Sequence, residues 1–565
     1  MSVIRLRPAR FDAAHLPGDW HPVVRAIYAA RLSGNDEVDK KLKFLKNTDG
    51  FVDMDKAVTR LAQALQARER IVVYGDYDVD GATSTALAVR VLRRLGAEVG
   101  WFVPNRQVHG YGLSVAGLAA LPDKPDVILT VDNGISSHEA VLAAAAQGID
   151  VIVSDHHTPG DNLPPAVAVI NPRRADSRDA PQHLAGVGVV FYLLMALQQH
   201  LKAQGAWPDN LYLTDYLDLV ALGTVADLVP LDYNNRILVD RGLKRLRDGQ
   251  GNAGMRALCQ VANIDTRFIG GNDIGFALAP RLNALGRLGD MNDGVAMLLA
   301  DDWPSVQELA MLCDDMNRDR KAIERATVSE ALALADTRQS ILCVYAPHWH
   351  EGILGIIAAR LKGRFARPAL VACDHEQGEH IKASLRSLEG VNIHQLLQQA
   401  AGELPDNVLH FGGHAMAAGL TVHKSAWALL VAALNRAFAE QVGTMPVAPV
   451  YIDGELPHDL LDVHWARYLE RLEPWGASLP APAFANVFSV IECRRLGDAH
   501  SRLRLREPYS GNIYNASWFF HQADYAHGDT LRVVYEMQVN RFHGDERLDL
   551  LIRHAEPFVI KTNNF

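Results

Sequence analysis

Along the first half of the chain, short apolar runs alternate with polar turns and longer Ala/Leu-rich stretches. The runs IVVYG (71–75), VILTV (127–131) and VIVS (151–154) have the length of strands, and the stretch after each has helical spacing. Strand, turn and helix in repeated succession predict a parallel, doubly wound α/β sheet. Residues 1–68 read as a polar, mostly helical lead-in packed on that domain, which is expected to span 69–302. From Ser305 to Ala346 there is neither Gly nor Pro, and Leu309, Met316 and Ile323 recur every seven residues. This predicts one long connecting helix, placed at 303–336. A smaller α/β domain, 337–447, follows, with ILCVY (341–345) and PALVAC (368–373) as strands. Over 448–565 the texture changes again, to Pro-rich turns and alternating strands with few helical signals.

Composition narrows the classes. At 565 residues the chain is long enough for several cores, and its 48% hydrophobic and 22% charged residues are those of an ordinary globular protein. No apolar run is long enough to span a bilayer. The opening MSVIRLRPAR lacks the apolar core of a signal peptide, so the expected location is cytoplasmic. Cys259, Cys313, Cys343, Cys373 and Cys493 form no C-x-x-C pair, which argues against zinc ribbons and a disulfide framework. The net charge of -10 leaves any nucleic-acid binding to local patches.

Chemistry is concentrated behind the three apolar runs. Asp76, Asp78 and Asp80 crowd into five positions after the first, Asp132 follows the second in TVDNG, and Asp155, His156 and His157 follow the third in VSDHH. Open α/β sheets bind ligands beyond the carboxyl ends of their strands, so the topology converges these residues on one edge. Taken singly, each stretch reads more readily as a turn or a helix N-cap. Taken together, they are carboxylates that would repel one another or take up protons unless a cation compensated them. Oxygen ligands joined by imidazole suit Mn²⁺ or Mg²⁺, in a site of two ions.

In this order, DYDVDG (76–81), VDNG (131–134), SDHH (154–157) and GTVADLVPL (223–231) resemble the four motifs of the DHH phosphoesterase superfamily. APRLNALGRLGD (279–290), HEGILGIIAARL (350–361), ASLRS (383–387) and GGHAMAAGL (412–420) resemble signatures of its RecJ family of single-strand-specific exonucleases and their DHH-associated domain. The resemblance implies that Asp78 and Asp80 bind metal, that Asp132 bridges or shares the ions, and that His156 and Asp227 complete the set. Asp76 and His157 match motif positions whose role it leaves between support of the metal shell and contact with the reacting phosphate. It also implies that Arg106, Arg281, Asn283, Ser384 and Arg386 hold the scissile region and the terminal phosphate, with His414 facing the cleft. One departure is EPWGASLPAPAF (473–484), which has Ala477, Ser478 and Leu479 where a Gly-Asn-Pro turn is usual.

The C-terminal region adds a signal of its own. SRLRLRE (501–507) alternates so that Arg502, Arg504 and Arg506 share one strand face while Leu503 and Leu505 point to a core. Such a face reads either as an edge strand guarded by charge or, with Trp518, Phe519 and Phe520 nearby, as an OB-like track for single-stranded nucleic acid. The resemblance favours the second and implies a small β-barrel, an OB-like nucleic-acid-binding domain, over 448–565. The combined expectation is a metal-dependent 5′-to-3′ exonuclease that hydrolyses single-stranded DNA to 5′-mononucleotides in repair and recombination. Polarity, the preference for DNA, and partners such as a helicase and a single-strand-binding protein come from the resemblance alone. Two alternatives are another DHH phosphoesterase acting on short oligonucleotides or pyrophosphate, and a catalytically silent single-strand-binding protein. The C-terminal extension speaks against the first, and the intact ligand positions against the second.

Overall fold

The computed structural model describes residues 3–105, 108–375, 378–446, 449–497, 500–541 and 545–558. The chain folds into two compact units: Ala9–Asn317 with Tyr468–Ala481, and Met1–Pro8 with Arg318–Arg467 and Pro482–Phe565. The expected lead-in is divided between them. Its strand β1 (Ile4–Leu6) joins the second unit, because Ile4 packs on the apolar cluster around Ile452, Ala485 and Val534. The remainder holds two α-helices, Pro22–Ala29 and Met54–Ala67, separated by short 3-10 turns.

The first unit is built on a wholly parallel sheet. Its strands are β2 (Arg70–Tyr74), β3 (Glu98–Phe102), β4 (Val127–Val131), β5 (Asp150–Ser154) and β6 (Ala168–Ile170), in the order β3-β2-β4-β5-β6. Val72 pairs with Ile128, and Ile128 with Val151, across the centre. The central strands are covered on both faces, which is why they are continuous apolar runs. The pattern does not reveal β3 and β6, since EVGWF is a half-exposed edge and AVI has only three residues. From β2 the chain moves outward to β3 and then returns to the other side of β2 as β4. The connections therefore part between β2 and β4, and the crevice at their carboxyl ends is the switch point where such sheets bind ligands. Helices Val79–Arg94, Gly186–Ala203 and Leu217–Ala226 pack against one another and are almost entirely buried.

The segment Tyr468–Ala481 is held in this unit by a buried carboxylate. Glu473 accepts from Tyr28 Oη (2.8 Å), Arg236 Nη2 (2.7 Å) and Arg236 Nε (3.1 Å), and Lys40 Nζ lies at 3.2 Å. Arg236 is 1% exposed. Burial and the Glu473 charge raise the Tyr28 hydroxyl well above its ordinary pKa. The departure at Ala477-Ser478-Leu479 is a tight turn, bridged between Gly476 and Leu479, in which Ser478 takes the left-handed conformation (φ 59°).

The helix Trp303–Leu334 is present as expected, but its seam is not the one the seven-residue recurrence marks. The buried positions are Val306, Ala310, Cys313, Asn317, Arg320, Glu324, Thr327 and Ala331, spaced alternately by four and three, whereas Ile323 is 38% exposed. Part of the seam is polar. Arg320 donates to Glu324 (3.0 Å), which also accepts from Arg360 (2.7 Å).

In the second unit, β7 (Leu342–Tyr345), β8 (Ala369–Asp374), β9 (His380–Arg386), β10 (Val408–His414) and β11 (Ala417–His423) form a sheet in the order β10-β11-β9-β8-β7. Only β7 and β8 are parallel. Helix Leu354–Phe365 covers one face, and helices Ile393–Gly402 and Trp427–Gln441 the other. β12 (Val450–Ile452) pairs in parallel with β1. The strands β13 (Phe484–Leu496), β14 (His500–Arg506), β15 (Ile513–Trp518), β16 (Thr530–Asn540) and β17 (Arg547–Pro557) close a barrel in the order β13-β14-β15-β17-β16. All five cysteines are free. Among the described residues no helix is long and apolar enough to cross a membrane.

The Glu473 cluster generates a stability prediction. Glu473→Ala takes the close carboxylate from the buried Arg236 guanidinium, and is expected to cost about 3–5 kcal/mol. Tyr28→Phe removes one hydrogen bond to a charged group and should cost about 1.5–3 kcal/mol at most. Chemical denaturation of the full chain checks both, and equal, negligible effects would contradict the role given to Glu473.

Candidate metal centre

The loop after β2 turns directly into the helix Val79–Arg94. Asp78 is its N-cap and accepts from Gly81 N (3.0 Å), while Asp76, 2% exposed, accepts from Tyr77 N (2.7 Å). The capping reading of this stretch is thus correct for Asp78, and it coexists with membership of the cluster. Asp80 sits in the first helical turn, 1% exposed, and accepts from Gly186 N (2.6 Å) and Val187 N (2.9 Å) at the start of the helix Gly186–Ala203. Helix N-termini favour negative charge, so this carboxylate is held from two sides.

Asp132, directly after β4, lies in the left-handed region (φ 63°), which Asp tolerates better than most residues. Its neighbourhood needs close approach. A Cβ at Gly186 would stand 2.6 Å from Asp132 Cβ, and one at Gly223 would stand 2.8 Å from Asp80 Oδ1. Those two glycines let the helices Gly186–Ala203 and Leu217–Ala226 press against the acids. Asp227 caps the second of these helices at its C-terminal end.

After β5, three residues divide the work. Asp155 is saturated: Oδ1 accepts from His156 N (2.7 Å), His157 N (3.0 Å) and His157 Nδ1 (2.8 Å), and Oδ2 from Ile135 N (2.9 Å). It orients the histidines and has little capacity left for an ion. His156 Nε2 faces three carboxylates, at 3.1 Å from Asp132, 3.6 Å from Asp227 and 3.8 Å from Asp80. Neither His156 Nε2 nor Asp132 Oδ1 makes a hydrogen bond, although both atoms are buried.

Ligand atoms of three overlapping sets approach within 4.8 Å of one another: Asp80, His156 and Asp227; Asp76, Asp78 and Asp132; and Asp132, His156 and His157. All seven expected residues of the β-strand ends and of the fourth motif therefore meet. Burial pushes Asp80 up to about 7, with the Asp78 charge adding and the Val187 and Gly186 amides opposing. Burial and the charges of Asp80 and Asp78 push Asp227 up to about 8. Asp76 and Asp132 are raised well above the carboxylate range, by burial first and by neighbouring aspartates second. Burial, with the neighbouring His157 charge, pulls His156 down to about 3, leaving a neutral imidazole with a lone pair to offer. Burial works against a charged His157 too, but the Asp155 hydrogen bond and charge outweigh it and lift its pKa to about 9. Acids forced toward protonation beside an unpaired neutral imidazole make a donor set that fits hard divalent cations.

The other expected residues are distributed as follows. Arg106 lies outside the described residues. Arg281 and Asn283 stand on the helix Ala279–Leu288, where Arg281 donates to Asp314 (2.8 Å) and to Ala277 O (2.9 Å). Ser384 and Arg386 belong to the second unit, on one face of β9, with Arg386 Nη1 donating to Ser384 Oγ (3.2 Å) and Leu385 O (2.8 Å). Burial lowers the Arg386 pKa, and no carboxylate pairs with it among the described residues. A Cβ at Gly355 would come within 2.7 Å of Arg386 Nη2 and 3.2 Å of Ser384 Oγ, so the first turn of the helix Leu354–Phe365 closes over this pair. His414 ends β10, the exposed edge strand of a hairpin with β11. GGHAMAAGL therefore spans the turn of an antiparallel strand pair.

On the barrel, Leu503 and Leu505 are fully buried, and Arg502, Arg504 and Arg506 share the outer face of β14. β14 pairs with both β13 and β15, so it is no edge strand in need of protection. The face is less basic than the sequence suggests, because Asp549 lies 3.8 Å from Arg502 and Glu492 3.9 Å from Arg504. Trp518 ends β15 and is buried, whereas Phe519 and Phe520 lie beyond the strand and are each 50% exposed. Sequence reasoning missed the amides of Gly186 and Val187 as partners of Asp80. The Gly-x-Gly opening of their helix was the available signal.

Comparison with known proteins agrees with this geometry. Residues 70–224 match the DHH family, N-terminal domain; residues 338–440 match the DHHA1 domain; and residues 452–554 match the RecJ OB domain. The chain is 39% identical to the single-stranded-DNA-specific exonuclease RecJ of Escherichia coli, over 98% of this chain and 99% of that one. It is 37% identical to the corresponding exonuclease of Haemophilus influenzae, over 95% and 96%. The crystal structure of RecJ in complex with Mn²⁺ from Thermus thermophilus superposes with a TM-score of 0.81 at 29% identity, covering 98% of this chain and 79% of that one. With identity of this level sustained over nearly its whole length, the chain belongs to the RecJ family of single-stranded-DNA-specific exonucleases.

Proposed function

We propose that this protein is a metal-dependent exonuclease that degrades single-stranded DNA from the 5′ end to 5′-mononucleotides. The observation that carries the reading is the convergence of Asp76, Asp78, Asp80, Asp132, His156, His157 and Asp227 at the switch point of the parallel sheet. Asp78, Asp80, Asp132, His156 and Asp227 would hold two Mn²⁺ or Mg²⁺ ions. Bound there, the ions would supply a nucleophile at neutral pH and offset charge on the phosphoryl oxygens.

The chain's own residues do the rest. Asp155 keeps His157 charged and fixed, with its Nε2 3.3 Å from Tyr111 Oη, so that an imidazolium stands at the cluster to meet phosphate. Asp76 lies at the same cluster and supports the metal shell. Arg386 is a largely buried cation without a carboxylate, beside a serine hydroxyl and a helix start, which suits a terminal 5′-phosphate. Arg281, Asn283 and His414 are assigned to the strand near the scissile bond, and the arginines of β14 to its continuation on the barrel. The cellular setting implied by family membership is cytoplasmic DNA repair and recombination, with a helicase and a single-strand-binding protein as partners.

Removing a carboxylate from the cluster relieves repulsion, so Asp80→Ala and Asp132→Ala should keep the fold and most DNA affinity while losing hydrolysis by at least about 100-fold. Release of labelled nucleotide with Mn²⁺, Mg²⁺ or EDTA, on single-stranded DNA, duplex DNA, RNA and pyrophosphate, checks this. Near-normal turnover in either variant would remove the site assignment, and cleavage of pyrophosphate alone would move the protein to a different branch of the superfamily.

Recognition of the strand end has its own readout. A 5′-phosphorylated strand should be degraded faster than a 5′-hydroxyl strand, and Arg386→Ala should shrink that ratio toward one. Identical rates on both ends in the parent protein would refute the terminal-phosphate pocket.

For the barrel, replacing Arg502, Arg504 and Arg506 together by Gln should weaken binding of long single strands and flatten its salt dependence. The slope should change by up to about 0.7 per lost phosphate contact, and by less for Arg502 and Arg504, which would exchange a carboxylate for a phosphate. Short oligonucleotides should be cut at the parental rate. Unchanged salt slopes on a long strand would place the track elsewhere.

A further inference from the structure

β6 ends at Ile170, and the chain continues as Asn171-Pro172-Arg173-Arg174, where two adjacent arginines have opposite fates. Arg174 is 8% exposed and fully engaged. Its Nη1 donates to Asp53 (2.7 Å) and Val169 O (2.6 Å), and its Nε and Nη2 donate to Asp176 (2.9 and 2.8 Å). This is a structural clamp. Arg173, partly exposed, has no carboxylate within ion-pair distance among the described residues, and its guanidinium makes a long approach to Thr158 Oγ1 (3.5 Å).

The position of Arg173 is nevertheless fixed. Asn171, fully buried, accepts from Arg173 N (2.7 Å) and donates to His157 O (2.8 Å), tying the loop after β6 to the loop that presents His156 and His157. β5 and β6 run parallel, so their carboxyl ends share one edge of the sheet, and the approach of Arg173 Nη1 to Thr158 Oγ1 sets the guanidinium beside the residue that follows His157. A guanidinium on the same sheet edge as a crowd of carboxylates, in ion-pair contact with none of them among the described residues, would repel the divalent cations those carboxylates suit. Such an arrangement is favourable when a further anion lies alongside, and the anion this reaction brings is phosphate.

We propose that Arg173 is a phosphate-binding residue of the reaction site, its guanidinium taking a non-bridging oxygen of the phosphate held at the cluster. In the substrate that group is the scissile diester, and in the product it is the 5′-monoester of the released nucleotide. The inference rests on the exonuclease reading of the same cluster.

The test uses the full chain with Mn²⁺ and compares Arg173→Gln, Arg173→Lys and, as a control for charge in the same loop, Arg178→Gln. Arg173→Gln should lower kcat/KM on single-stranded DNA by about tenfold or more, as loss of one charged donor to a reacting group does. It should also weaken 5′-deoxyadenylate, measured both as an inhibitor and by calorimetry, with part of each effect recovered in Arg173→Lys and none seen in Arg178→Gln. A loss confined to kcat/KM assigns the contact to the diester, and one confined to nucleotide binding assigns it to the product. Because Arg173 repels cations, its removal should leave the Mn²⁺ requirement unchanged or lower. Parental kcat/KM and nucleotide affinity in Arg173→Gln would overturn the proposal while leaving the exonuclease reading intact. So would recovery of activity by added Mn²⁺, which would mean that the residue only shapes the ligand set. A parent protein inert on single strands would overturn the exonuclease reading and this inference with it.

Discussion

Mutual repulsion among buried carboxylates is the constraint on which the first unit depends. Asp76, Asp78, Asp80, Asp132 and Asp227 are brought within reach of one another, and burial alone would drive several of them to hold protons at neutral pH. The fold opposes this with directed dipoles. Two amides at the start of the helix Gly186–Ala203 bind Asp80, and Asp78 caps the helix in which Asp80 sits. Glycines at 186 and 223 make the approach sterically possible. The charge that these dipoles leave uncompensated is the part that divalent cations can satisfy.

The histidines show how one added carboxylate separates two adjacent, chemically identical side chains. Asp155 spends all its acceptor capacity on the loop and on His157 Nδ1, so His157 becomes the charged member of the pair. His156, turned toward Asp132, Asp227 and Asp80, stays neutral. An imidazole lone pair and an imidazolium therefore stand side by side, one suited to a metal and the other to a phosphate. The second unit contains the converse imbalance: Arg386, half-buried, has no acid paired with it among the described residues and lies against the helix start at Gly355.

Polar residues at buried positions also explain where pattern reading loses its way. In the helix Trp303–Leu334 the seam includes Asn317, Arg320, Glu324 and Thr327, with Glu324 accepting from Arg320 and from Arg360. A hydrophobic recurrence therefore selects the wrong stripe even though it finds the helix. Likewise β10 and β11 carry Gly412, Gly413, Ala417 and Ala418 at positions where a strand usually shows branched residues, and their hairpin is visible only once β9 supplies the partner.

The sequence by itself determined the parallel sheet, the long helix, the alternating strands of the C-terminal region and the strand-end acids. Each of these rests on local periodicity or on residue types placed at a strand's end, and neither needs knowledge of distant partners. Tertiary structure alone decided which acids keep an oxygen open at the cluster and which are taken up by the protein's own donors. Asp155 and Asp132 are alike in sequence, each directly after a strand, but one is saturated by neighbouring amides and an imidazole while the other keeps a buried oxygen without a hydrogen bond. Arg173 and Arg174 are neighbours with the same charge, separated only by the presence of Asp53 and Asp176 around one of them. The arginines of β14 alternate as the pattern requires, yet Glu492 and Asp549 reach them from other strands. In every case the deciding quantity is the set of partners that surrounds a charge, and those partners come from parts of the chain that only folding brings together.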